Sequence, residues 1–168
     1  RMRGGTNGIA YQDAELASFA LRQREVEDGL RDGSPAELFE LHYQPIFSIA
    51  TGLPVGAEAL VRWNRPGHGQ MSAGEFIALA ERTGRIASLD RWAVTTALQQ
   101  ASDWHRQGWN GWVSVNLSSR TLDTARLTHH FANAIESADA DPRQLLVEVT
   151  ESAAMRDRGA SMTALREL

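Results

Sequence analysis

The sequence predicts an α/β domain built on parallel strands. Stretches with strand character alternate with stretches of helical periodicity, and each strand-like stretch ends at a turn signal before the next helix starts. No glycine fingerprint of the G-x-G-x-x-G or P-loop kind follows any strand, which weighs against a nucleotide-binding open sheet. From the alternation alone, a closed barrel and a doubly wound sheet both satisfy the pattern.

Residues 1–12 are glycine-rich and irregular. Asp13 is placed to cap a helix running to Gly29 or Gly33, with Leu16, Phe19, Ala20, Val26 and Leu30 near helical spacing. Ser34-Pro35 breaks it, and Glu37 to Ile49 reads as extended, closed by a turn at Thr51-Gly52. Val55 to Trp63 is a strand. Ser72 with Glu75 forms a capping box for a helix through Phe76, Ile77, Leu79 and Ala80 that stops at Gly84. Ser88 is read as the cap of a longer helix carrying Leu89, Trp92, Ala93, Thr96, Ala97, Ala101 and Trp104, stopped by Gly108. Trp112 to Leu117 is the next strand. A helix through Leu127, Phe131, Ala134 and Ile135 ends before Asp141-Pro142, and Leu145 to Thr150 is a further strand.

Composition narrows the class. Of the 168 residues, 42% are hydrophobic and 23% charged, which fits a folded globular domain and excludes a disordered chain. A net charge of -4 with interspersed signs argues against a DNA or RNA duplex as partner, so a phosphate-bearing ligand would need a local cationic site. The absence of cysteine removes disulfides and thiolate metal sites and fits a reducing compartment; a cytoplasmic location is expected. No apolar run approaches the ~18 residues of a membrane span, and residues 1–7 do not open a signal peptide. The chain opens on Arg1 without an initiator Met and stops at Leu168 within residues 162–168, which read as helix, so a longer parent protein is expected.

Three strand ends carry the chemistry. Period-two alternation sets Glu58, Leu60 and Arg62 on one face of residues 56–63 and Ala57, Ala59, Val61 and Trp63 on the other. The same parity pairs Asn116 with Ser114 and Ser118, and Glu148 with Leu146 and Thr150. A carboxylate and a guanidinium on a buried strand face are costly unless something satisfies them. Glu58 and Arg62 alone could simply neutralise one another. Three consecutive strands with oxygen-bearing side chains aimed at one centre exceed what such a pair needs. Two carboxylates and an amide oxygen, without Cys or His, suit Mg²⁺, Mn²⁺ or Ca²⁺, and Arg62 is able to grip a phosphate bidentately. Spacing alone therefore yields an oxygen-ligand metal or anion site in a parallel α/β domain.

At these residues the sequence resembles the EAL domain family. Glu58-Ala59-Leu60, inside Gly56-Ala57-Glu58-Ala59-Leu60-Val61-Arg62-Trp63, is similar to the family's naming signature. His42-Tyr43-Gln44-Pro45-Ile46, Phe76-Ile77 with Ala80-Glu81, Leu89-Asp90-Arg91-Trp92, Val115-Asn116-Leu117-Ser118 and Glu148-Val149-Thr150-Glu151-Ser152 resemble its other motifs, in order, over residues 37–168. The resemblance implies a TIM-like (β/α) barrel, here only its first half of about four strands, with Leu38 to Ser48 as its one antiparallel strand. It implies that Glu58, Asn116 and Glu148 are metal ligands, with Glu58 the catalytic position. Gln44, Leu60 and Arg62 would contact cyclic di-GMP, and Glu151 would steady a neighbouring loop. The implied cofactor is Mg²⁺ or Mn²⁺, with Ca²⁺ inhibitory or substituting.

Residues 1–12 are loosely similar to the end of a GGDEF cyclase domain, 13–35 would be a linker helix, and 36–168 the N-terminal part of the EAL domain. An upstream GGDEF or sensor domain is thus expected in the parent, with membrane tethering, if any, through upstream segments. Ala73 replaces a common proline at a helix start, a harmless departure. The family's Asp-Asp-Phe-Gly strand, its later Lys strand and its last Glu and Gln find no counterpart up to Leu168. Hydrolysis of cyclic di-GMP to the linear dinucleotide is therefore expected of the parent and not of this chain alone. A non-catalytic cyclic di-GMP receptor is the alternative, and a metal-free glycosidase barrel a third option. Open strand edges would invite a homodimer or swapped assembly.

Overall fold

The computed structural model describes residues 34–63, 72–122 and 127–149, together with helical positions 17, 20, 21, 24, 27–29 and 31. The proposed GGDEF-like stretch and the segment from Thr150 onward lie outside them, as does most of the linker helix.

Pro35 opens a single helical turn, α1 (Pro35–Leu38), in which the Glu37 amide donates to the Ser34 carbonyl at 3.0 Å. Proline fixes φ at a helical value and loses no hydrogen bond at this first position. Glu37 and Leu38, read as extended from sequence, are helical for that reason, and the strand begins at Phe39. β1 (Phe39–Phe47) turns through Gly52, at φ +68°, into β2 (Pro54–Trp63), with which it pairs antiparallel. The expected antiparallel strand is therefore present.

Helix α2 (Ala73–Arg82) starts at the Ser72–Glu75 capping box and ends at Gly84, whose φ is +71°. The next helix, α3 (Ile86–Arg106), begins two residues later, with Arg85 at its cap position and Ser88 inside its first turn. Ser88 is thus not the cap. Gly84 reverses the chain so sharply that Ile86 and Leu89 enter the core at once. Gly108, at φ +92°, follows the end of α3 and leads to β3 (Trp112–Leu117). A one-turn helix, α4 (Ser119–Leu122), then α5 (Leu127–Ala138) and a 3₁₀ turn at Pro142–Gln144 lead to β4 (Leu145–Val149). The two short turns carry no apolar periodicity, so pattern reading passed over them.

The described sheet has the order β1-β2-β3-β4, with β2, β3 and β4 parallel. One face is apolar: Ala59, Val113, Val115 and Leu117 pack on Val94, Ala97, Leu98 and Ala101 of α3 and on Leu127, Phe131, Ala134 and Ala138 of α5. The alanines let the helix backbones approach the sheet closely. A second cluster gathers Phe39, Phe76, Leu79, Ala80, Ile86 and Leu89. Phe39 touches Trp63 edge-on at 5.1 Å and Phe76 at 5.1 Å. Trp92 packs beside this cluster and Trp104 against the first, as expected of core residues. Trp109 meets Trp104 edge-on at 5.1 Å, whereas Trp112 lies over Gly56 on the other face of the sheet.

Candidate functional site

The face of the sheet away from the helices holds the polar residues. Register sets Gln44 opposite Glu58, His42 opposite Leu60 and Glu40 opposite Arg62 across β1–β2. Across β2–β3, Glu58 lies opposite Ser114, and across β3–β4, Asn116 lies opposite Glu148. Gln44, Glu58, Leu60, Arg62, Asn116 and Glu148 therefore share one face, near the C-terminal ends of the parallel strands. Strand parity had assigned Glu58, Leu60, Arg62, Asn116 and Glu148 this way, and the backbone agrees; Gln44 joins them through its register with Glu58.

Two of the three candidate ligands touch. The Asn116 amide Nδ2 donates to Glu58 Oε1 at 2.8 Å, across 58 residues of sequence. The amide nitrogen and oxygen of an asparagine exchange places by a simple flip. In the observed orientation the amide offers the carboxylate a hydrogen; in the flipped one it offers a cation a second oxygen. Glu148 is held by its backbone in the β3–β4 ladder, and its carboxylate makes no hydrogen bond to another described residue, so it is available to a ligand. No ion pair joins Glu58 to Arg62 among the described residues. The Arg62 guanidinium donates to the Val61 carbonyl at 3.0 Å, so a self-neutralising Glu58–Arg62 pair does not explain this face.

Two further observations bear on a cation. Among the described residues no three His, Asp or Glu side chains converge as a closed metal cluster. The rim supplies two carboxylates and one amide, a hard-oxygen set that leaves positions open for substrate or water. Ser114, level with Glu58, is fully buried, and its hydroxyl has no hydrogen-bond partner in the structure. Such an orphaned hydroxyl costs about 1–3 kcal/mol unless a water or a reoriented carboxylate takes its hydrogen. The donor set fits a divalent cation. Below it, the indole of Trp112 forms a floor so close that a Cβ on Gly56 would lie 2.6 Å from the ring. Glu151, expected to steady a loop, lies outside the described residues.

One acidic residue of consequence escaped sequence reasoning. Asp90 on α3 is 6% exposed, and burial raises its carboxyl to about pH 6 against the hydrogen bonds that lower it. It accepts from the Ser118 backbone amide at 3.0 Å and the Thr121 hydroxyl at 2.5 Å. The signal was present: Asp90 falls on the apolar stripe of Ile86, Leu89, Ala93 and Ala97, where a carboxylate needs a partner. His42, His105 and His129 are exposed, His130 is half-buried with Nε2 3.0 Å from the Arg91 carbonyl, and His68 lies outside the described residues.

A sheet with carboxylate and amide side chains at its strand ends on one face and helices on the other has counterparts among known proteins. The EAL domain family matches residues 27–168. The chain belongs to this family. Its EAL domain is 36% identical over 165 residues to the bifunctional diguanylate cyclase/cyclic di-GMP phosphodiesterase MucR of Pseudomonas aeruginosa, a match covering 98% of this chain and 24% of MucR. Signaling protein YkoW of Bacillus subtilis is 35% identical over 187 residues, covering 99% of this chain and 23% of YkoW. Among solved structures, the PaMucR phosphodiesterase in complex with c-di-GMP superposes with a TM-score of 0.78 at 36% identity, covering 85% of this chain and 58% of that one. The chain spans about a quarter of the length of these curated relatives. The fold is the TIM-like barrel of EAL domains, and the four described strands form part of it.

Proposed function

We propose that the protein carrying this EAL domain hydrolyses cyclic di-GMP to the linear dinucleotide in a divalent-metal-dependent reaction. The observation that carries the proposal is the Glu58–Asn116 contact of 2.8 Å on the strand-end face, with Glu148 in register beside Asn116. Similarity to MucR, and to a phosphodiesterase solved with c-di-GMP, supports the choice of substrate.

Glu58, Asn116 and Glu148 would hold Mg²⁺ or Mn²⁺, with the Asn116 amide flipped to present its oxygen. Ca²⁺ would occupy the same oxygens but give an inhibited complex, because its larger, looser shell holds the phosphate less strictly. A bound cation supplies a water of lowered pKa and stabilises charge on the phosphoryl oxygens. Arg62, half-buried at the rim, would hold the diester bidentately, with Leu60 and Gln44 as further contacts. Water adds to phosphorus, one P–O3′ bond breaks, and the leaving oxygen takes up a proton, so one ring opening consumes one water.

The test is turnover by the full-length protein. Cyclic di-GMP incubated with Mg²⁺ should yield linear dinucleotide, and EDTA should abolish the product. Tight binding of cyclic di-GMP without product in any divalent metal would establish the receptor reading instead.

A further inference from the structure

Asp90 is surrounded on α3 by buried Ile86, Leu89, Ala93 and Val94, at a position where a core-facing helix ordinarily carries an apolar side chain. A single oxygen, Oδ2, accepts both the Ser118 amide at 3.0 Å and the Thr121 hydroxyl at 2.5 Å. The Ser118 hydroxyl donates to Glu81 Oε1 on α2 at 2.7 Å, and the Arg120 guanidinium donates to the Glu81 backbone carbonyl at 2.8 Å. The turn from Ser118 to Thr121 is thus tied at four points to two helices behind the sheet. It begins two residues after Asn116, whose neighbours Val115 and Leu117 are buried on the helix side. Extended backbone between Asn116 and Ser118 has little slack, so the tether at Ser118 sets how far Asn116 projects over Glu58.

We infer that Asp90 is a positioning residue for Asn116, holding it in place through the Ser118 amide and the Thr121 hydroxyl. The inference rests on the metal-dependent reading above. It assigns a role to residues that the strand-end chemistry leaves unexplained: Glu81, Asp90 and Ser118 all stand in segments that resemble the family's motifs. Partners one step behind a metal ligand commonly govern its affinity by about 10- to 100-fold.

The experiment measures Mn²⁺ affinity by calorimetry on the full-length protein, with crystal structures of the variants. Asp90→Ala should weaken Mn²⁺ by roughly tenfold or more and separate Asn116 from Glu58. Asp90→Asn should stay within about twofold of the parent, because its amide oxygen replaces Oδ2 and accepts both donors. Thr121→Val, which removes one tether, should fall between them, and it carries the test if Asp90→Ala does not fold. Unchanged Mn²⁺ affinity in Asp90→Ala or Thr121→Val, or an Asp90→Asn defect as large as the alanine one, overturns the inference. If the parent protein binds no Mn²⁺, the metal reading fails separately. The position of Asn116 in the Asp90→Ala crystal then decides the positioning claim by itself.

Discussion

The two faces of the described sheet are built on opposite principles. The helix-side face closes on itself: Ala59, Val113, Val115 and Leu117 meet apolar side chains of α3 and α5, and their partners all lie within the chain. The opposite face gathers Glu58, Asn116, Glu148 and the buried hydroxyl of Ser114; among the described residues Glu58 and Asn116 satisfy one another, as Glu40 and His42 do beside them. Burial stabilises the first by about 25 cal/mol per Å² of apolar surface. The second carries polar groups whose remaining partners are left to water or a ligand. A face that keeps polar groups open to solvent beside a closed apolar one is the better candidate for a functional surface than any single motif.

Substitutions on the two faces should therefore separate activity from stability. Asn116→Ala should lower turnover of cyclic di-GMP by the full-length protein by at least about 100-fold, more than the loss of an outer partner of a metal ligand. Its urea midpoint should stay near that of the parent. Leu98→Ala, on the helix side, should do the reverse: denaturation should show a loss of about 2–5 kcal/mol, with kcat kept in the protein that remains folded. If both variants lose stability equally, the contrast between the faces is wrong.

Asp90 sharpens the contrast, because it is a charged group behind the sheet. Its folded pKa, about 6, stands above the usual 3.8. The stability it contributes is therefore fully present below pH ~3.8 and lost as pH rises through about 6, a change of about 3 kcal/mol. Asp90→Asn removes that titration. Thermal melts should show its Tm gaining on the parent's between pH 4 and pH 7, and parallel Tm curves for the two would count against a buried, charged Asp90.

Gly56→Ala places a Cβ against the Trp112 indole and should cost about 1–3 kcal/mol through overpacking, read as a lower Tm. The smallest effect concerns assembly. β1 is an edge of the described sheet, and Leu146 on the polar face is 46% exposed. If that edge pairs, the 168-residue chain should sediment as a dimer or larger assembly, and a stable monomer would argue against pairing through open edges.

Most of this arrangement was legible in the sequence. Alternation in residues 56–63 and 112–117 placed Glu58, Arg62 and Asn116 on one face, because a strand's side-chain period is fixed at two. The Ser72–Glu75 capping box and the stops at Gly84 and Gly108 were local signals with local causes. What sequence left hidden depended on contacts between distant segments. The Glu58–Asn116 bond joins strands 58 residues apart, and the tie between Asp90 and the Ser118–Thr121 turn spans about 30. Ser88 looked like a cap because its composition fits one, but the reversal at Gly84 decides where α3 begins.

The most direct measurement of the polar face's role is a crystal structure of the full-length protein with Mn²⁺, read by anomalous scattering. One ion should be bonded to Glu58, Glu148 and Asn116 Oδ1, with the Asn116 amide reversed from its present orientation toward Glu58. An ion bound elsewhere, or an Asn116 nitrogen still donating to Glu58 beside it, would contradict the assignment of this face as the metal centre.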